Sequence, residues 1–284
     1  MSQNITLPRA ALAQPELVIE PGMATARYWS DLWRYRELLF FLAWRDINVR
    51  YKQAVLGAAW AFVQPLVTMV VFTFVFSNLA HMSSGNVPYP MLVLAGLLPW
   101  QLFSTALSGS SASLVSNTNL ISKVYFPRLA VPLSSLGVAL VDFFVTLILY
   151  FIFAAFFGVW PTWRILFLPI SIVVTLVFAL GAGLWLCALT VKYRDFRFLV
   201  PFLLQFGVFA TPVGYRTDIL HTWCGLLAIN PLTGVIAVFR WSMLGADFQL
   251  EPLNLAISVF GAAVLLATGL WYFRRTERYF SDII

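Results

Sequence analysis

"RDINVRYKQAVLGAAWAFVQPLVTMVVFTFVF", residues 45–76, carries all four of its charges in the first eight positions and none afterwards. The apolar run beyond Lys52 exceeds the about 20 residues that a helix rising 1.5 Å per residue needs to cross roughly 30 Å of hydrocarbon. A membrane-spanning helix with a basic anchor on one flank is therefore predicted here.

The rest of the chain has the same character. Of its 284 residues 61% are hydrophobic and 11% charged, against about a quarter charged in soluble domains. The apolar runs are continuous and lack the alternation of barrel strands. Six spans are expected, at about 56–79, 91–112, 132–157, 165–190, 198–216 and 254–273. The expected fold class is an all-α integral membrane protein, with residues 1–30 as an N-terminal tail and 31–284 as one transmembrane domain. Residues 1–37 are polar and contain no cleavable secretory signal, which places the N-terminus on the side of synthesis. Cys187 and Cys224 suggest neither a disulfide framework nor a metal site.

Lysine and arginine collect on the cytoplasmic side of spanning helices. Seven precede the first span: Arg9, Arg27, Arg34, Arg36, Arg45, Arg50 and Lys52. Lys123 and Arg128 lie in the second loop, Lys192, Arg194 and Arg197 in the fourth, and Arg274, Arg275 and Arg278 in the tail. Only Arg164, Arg216 and Arg240 remain for the far side, so both termini are expected in the cytoplasm. The stretch "TWCGLLAINPLTGVIAVFRWSMLG", 222–245, is apolar enough for a seventh span, but Asn230-Pro231 interrupts it and Arg240 lies in its second half. An arginine deep in lipid costs about 2.5–3.5 kcal/mol on insertion scales. The reading is an outer re-entrant or interfacial hairpin, with Asn230, Pro231 and Arg240 as its notable residues.

Ahead of the first span, "ARYWSDLWRYRELLFFLAWRD", 26–46, mixes aromatics and arginines with a short apolar run, the pattern of a helix lying in the interface plane. Asp46 and Arg50 stand four apart, the spacing at which a carboxylate and a guanidinium pair on one helical face. Within the six spans the clear ionisable residue is Asp142, read as a group that hydrogen-bonds a neighbouring helix or a watery cavity.

Catalytic patterns are missing. The chain has no phosphate loop, no H-E-x-x-H and no cysteine–histidine cluster, and its two histidines, His81 and His221, fall in outer loops. No nucleotide, metal or catalytic site is expected in this chain. What remains is a passive channel, a membrane enzyme with a thin interfacial site, or a transport subunit powered by another protein. The loop "SLVSNTNLISKVYFPRLAVPLSS", 113–135, weighs on that choice. Asn117 to Asn119 can cap a helix start, "LISKVYF" allows one or two turns, and Pro127 ends them. This reads as a short helix across the cytoplasmic mouth that presents Val124, Tyr125 and Phe126, either to the headgroups or to a groove on a partner.

From about Leu38 onward the sequence resembles the permease subunits of ATP-binding-cassette exporters for bacterial surface polysaccharides, the O-antigen, capsule and teichoic-acid exporters of the type-2 family. The resemblance rests on "WRDINVRYKQAVLGAAW" (44–60), "SKVYFPRLAVPLSS" (122–135), "KYRDFRFLVPFLLQFGVFATPVGY" (192–215), "NPLTGVIAVFRWSMLG" (230–245) and "RTERYFSDII" (275–284). It implies a six-helix permease that dimerises in the inner membrane and binds two cytoplasmic ATPase subunits, which hold the ATP and Mg. It further implies a coupling helix at 120–128, with Lys123, Val124, Tyr125, Phe126, Pro127 and Arg128, an N-terminal interface helix, and outer gate helices within 217–250. Arg45, Asp46, Arg50, Tyr51 and Lys52 then stand at the cytoplasmic entrance, where cations suit a lipid diphosphate. The aromatics of the first two spans, Trp60, Phe62, Phe72, Phe74, Phe76, Trp100 and Phe103, are candidate walls for a sugar polymer. The rival readings are an exporter of drugs or small lipids and an enzyme acting on lipid-linked sugars. The latter would need clustered acids or histidines, whereas Asp218, His221, Asp247 and Glu251 are scattered.

Overall fold

A computed structural model describes residues 25–52, 57–124, 126–216, 230–245, 248, 250–277 and 280. Helices α1 (Thr25–Arg34) and α2 (Arg36–Lys52) come first, then α3 (Gly57–Thr73), which continues into a π-helical turn, Phe74–Leu79. They are followed by α4 (Tyr89–Ser116), the single turn α5 (Thr118–Ile121) and α6 (Ala130–Phe157). A 3-10 turn, Trp163–Phe167, leads into α7 (Leu168–Lys192), and α8 (Phe196–Ala210), α9 (Pro231–Leu244) and α10 (Pro252–Thr276) complete the order. Residues 25–30, expected in the tail, thus open α1, and residues 1–24 lie outside the described residues.

Among the described residues, five helical stretches are long and apolar enough to cross a membrane: Ala59–Leu79, Tyr89–Ser116, Ala130–Phe157, Trp163–Lys192 and Pro252–Thr276. They match five of the six expected spans. The described residues hold helices and no strand, and the protein is a multi-pass membrane protein. The expected span 198–216 differs: α8 has 15 residues, about 22 Å at 1.5 Å per residue, and residues 211–215 beyond it are not helical but buried turn.

Local chemistry marks the helix ends. Prolines occupy the first turns of α4, α7, α9 and α10, where a missing N–H leaves no bond unmade. Gly158 ends α6 at φ 70, a left-handed conformation, and sends its N–H to the Ala154 carbonyl.

The centre of the bundle is α4, with 78% of its most apolar window buried against 17% for α3 and for α10. It packs between α6 and α7, and α10 packs on the far side of α7. Small residues permit these approaches: Gly109 faces Ser135, Gly183 faces Ser110, and a Cβ on Gly269 would strike the Gly181 carbonyl. One apolar cluster fills the middle and far half of the bundle. A second, including Leu42, Leu114, Phe126, Leu184, Phe273 and Phe280, gathers the ends of the helices that carry most of the lysines and arginines. We call this the basic end.

Candidate functional site

At the basic end the chain leaves α4, makes the single turn α5 and returns into α6. The Asn117 side chain makes no cap bond to α5. Its amide instead donates to the Ser113 carbonyl at 2.9 Å and its Oδ1 accepts from Arg45 at 2.6 Å, because a charged donor from α2 outcompetes a local turn. The segment expected to present three side chains outward divides. Lys123 and Val124 are exposed, Phe126 is 5% exposed within the second cluster, and Tyr125 lies outside the described residues. A phenyl ring left in water forgoes about 1.5–3 kcal/mol of burial, and the helix ends around it offer an apolar socket. Phe126 therefore forms the floor of a hollow of about 300 Å³, whose walls are Ile121, Ser122, Lys123, Val124 and Arg128.

Behind this hollow lies a contact that the sequence does not signal. Arg128 donates its backbone N–H to Glu277 Oε1 at 3.1 Å and its guanidinium to the Glu277 carbonyl. Tyr28 of α1 donates its hydroxyl to Glu277 Oε2 at 3.2 Å, and the Arg274 guanidinium stacks 4.8 Å over the Tyr28 ring. Burial holds the Glu277 carboxyl above its ordinary value, and burial together with the Glu277 charge pushes the Tyr28 phenol up.

The basic end of α2 pairs differently from expectation. Asp46 pairs with its neighbour Arg45 at 2.7 Å, while Arg50 reaches Asp142 of α6 at 2.7 Å. Tyr51 donates its hydroxyl to the same carboxylate. The i,i+4 pair between Asp46 and Arg50 is not formed, because a charge inside the bundle gains more from partners than a solvated helix face does. Asp142 stands about 18 Å along α6 from its first turn, at 1.5 Å per residue. The polar line continues: Thr146, whose hydroxyl contacts the Asp142 carbonyl, also reaches Gln101 Oε1 at 2.9 Å. The helix-to-helix role expected of Asp142 is what the structure displays. Lys52, at the end of α2, is exposed.

Toward the other end, Asn230 caps α9. Its Oδ1 accepts from the Leu232 N–H at 3.1 Å and its amide donates to Thr211 Oγ1 at 3.0 Å; Pro231 takes the first helical position. Arg240, 3% exposed, donates to the Val213 and Tyr215 carbonyls, each at 2.8 Å. Tyr89 donates to the Gly214 carbonyl between them at 2.7 Å. Non-helical backbone at membrane depth survives only where protein or water meets its polar groups, and here three successive carbonyls are met by two side chains. Arg240 thus faces neither lipid nor solvent. Residues 217–229, the expected partner half of the hairpin, together with Asp218, His221 and Asp247, lie outside the described residues.

The aromatic candidates also separate. Trp60 and Phe74 are exposed, whereas Phe72, Trp100 and Phe103 are buried in the core and cannot line a path within this chain. Among the described residues no group of three or more His, Cys, Asp or Glu is placed to hold a metal.

Residues 37–244 match the family described as ABC-2 type transporter. An O-antigen export system permease protein, RfbA, of Myxococcus xanthus is 31% identical over 253 residues, covering 87% of this chain and 96% of that protein. A protein of the same name from Klebsiella pneumoniae is 26% identical over 253 residues, covering 87% and 95%. The polysialic acid transport protein KpsM of Escherichia coli is 22% identical over 240 residues, covering 82% and 91%. With most of its length matched, and helices packed around a buried α4 with a pinned loop at the basic end, the chain belongs to the ABC-2 type transporter family, as one of its membrane permeases.

Proposed function

We propose that this chain is the transmembrane subunit of an ATP-driven exporter that moves a lipid-linked polysaccharide, of O-antigen or capsular type, across the bacterial inner membrane. The relatives' names support the cargo class over drugs or small lipids. In this reading two copies of the chain form the permease, with both termini in the cytoplasm, and two cytoplasmic ATPase subunits supply ATP and Mg. The sixth crossing is α8 with its buried turn, and α9 is one arm of the outer hairpin.

The observation that carries the reading is the build of the loop between α4 and α6. Its exposed rim, Lys123 and Val124, stands over a hollow whose floor, Phe126, is fixed among the helix ends. Such a surface takes a protruding side chain from a partner and passes load into the bundle. Phe126, Pro127 and Arg128 hold the docking loop from behind; Lys123 and Val124 meet the partner.

A path for the polymer is supported by the faces of α3 and α8. Both leave a glutamine exposed, Gln64 and Gln205, among exposed Trp60, Val63, Phe202 and Phe206. An amide without partners in hydrocarbon costs about 4–8 kcal/mol, so these faces suit a seam between two copies, where amides meet sugar hydroxyls and rings stack on aromatics.

Co-purification of the chain with its candidate ATPase, followed by ATP turnover in lipid with and without Lys123→Glu and Val124→Ser, tests the reading. A stable complex weakened by these changes is expected. No complex with any candidate ATPase would remove the powered-exporter reading and restore the passive channel.

A further inference from the structure

Glu277 follows the last helix directly, Arg128 sits two residues before α6, and Tyr28 belongs to the first helix. These positions are 149 and 249 residues from Glu277 in sequence, so no local folding rule brings them together. Chain continuity attaches the docking loop to α4, through α5, and to α6, and Phe126 packs it among the helix ends of the second apolar cluster. Packing of one ring has no fixed direction, so by itself it would let the loop slide across the ends of the first and last helices under a load on Lys123 and Val124. Glu277 closes that freedom by accepting the Arg128 backbone N–H at 3.1 Å and the Tyr28 hydroxyl at 3.2 Å, while its own carbonyl accepts the Arg128 guanidinium.

Resting on the docking reading above, we propose that Glu277 is a positioning residue that ties the docking loop to the first and last helices, so that loop displacement is delivered to α10 and α1. The load reaches α10 at its end, where Phe273 and Phe280 are fully buried and packed edge to face at 5.5 Å. It travels onward because Gly269 lies against the Gly181 backbone of α7, a contact with no flexible side chain to absorb movement. A displacement of the loop that moves α4 and α6, the helices flanking it, is therefore joined by motion of the last span.

The test uses the full chain assembled with its ATPase in lipid. Spin labels are placed either on α10, by Trp271→Cys, or on α6, by Ile148→Cys, both exposed positions. The distance between equivalent labels of the two copies is read with and without a non-hydrolysable ATP analogue. In the otherwise unaltered chain both distances are expected to shift. In Glu277→Ala the α10 shift should be roughly halved or lost while the α6 shift persists, in keeping with coupling changes of about 2- to 30-fold along such links. Glu277→Gln, whose amide oxygen still accepts from Arg128, and Tyr28→Phe should lie between; they carry the comparison if the alanine variant fails to fold. An α10 shift unchanged in all three variants overturns the link and leaves docking intact. If α6 shifts and α10 never does, the link fails alone. If neither shifts, the docking reading falls and the link with it.

Discussion

Arg50 Nη2 and Asp142 Oδ2 stand 2.7 Å apart, joining the end of α2 to the middle of α6. The pair is uneven, because the arginine side chain is 48% exposed and the aspartate 14%. Asp142→Ala should destabilise the protein by about 1–3 kcal/mol, less than for a fully buried pair, since Arg50 retains some water. Asp142→Asn, which still accepts from Tyr51, should cost less. Denaturant unfolding in detergent would show this, and an alanine variant as stable as the original would rule out an anchoring role.

Phe126 and its neighbours should separate stability from docking. Phe126→Ala opens a cavity at a site 5% exposed and is expected to cost about 3–5 kcal/mol. Lys123→Glu and Val124→Ser, on the rim, should stay within about 0.5 kcal/mol while weakening ATPase binding. Thermal unfolding measured beside binding affinity checks the division, which fails if the rim variants unfold early.

The α7–α10 contact tolerates no side chain. A Cβ on Gly269 would overlap the Gly181 carbonyl, so Gly269→Leu must separate the helices, at about 1–3 kcal/mol or more. A lowered melting temperature is the expected reading; an unchanged one would mean the helices are not this close.

Replacing Arg240 by methionine keeps its bulk but removes the donors to Val213 and Tyr215. Each carbonyl left dry costs about 1–3 kcal/mol. Limited proteolysis near residues 211–216 should accelerate, and resistance equal to the original protein would count against the clamp.

Glu277 makes stability depend on pH. Burial is the largest cause raising its carboxyl above the ordinary 4.5, and the Arg128 amide, Tyr28 hydroxyl and two arginines offset only part of it. The folded state therefore keeps the proton to higher pH than the unfolded chain. By linkage, this contribution to stability is full below 4.5 and declines as pH rises through the elevated folded value. Melting temperature across that window should fall less steeply in Glu277→Gln, and parallel curves would place the titrating group elsewhere.

Five of the membrane spans and the absence of a phosphate loop were legible in the order of residues, because hydrocarbon thickness and charge burial act on each segment separately. A short helix after α4 was legible only in part: it was expected from Leu120 onward, whereas the single turn lies at Thr118–Ile121 and residues 122–124 are turn and bend. Partners were not legible. Whether Asp46 or Asp142 answers Arg50, and whether Phe126 faces outward or forms a floor, depends on which helix ends meet. The same holds for the role of Arg240, which was visible as a costly arginine but not as the donor to a broken backbone 25 and 27 residues before it. Glu277 stood in a charged tail like any solvated glutamate; only packing of the first, sixth and tenth helices at one end made it a buried acceptor. Those contacts join residues far apart in sequence, and their energies exist only once the bundle has excluded water from them.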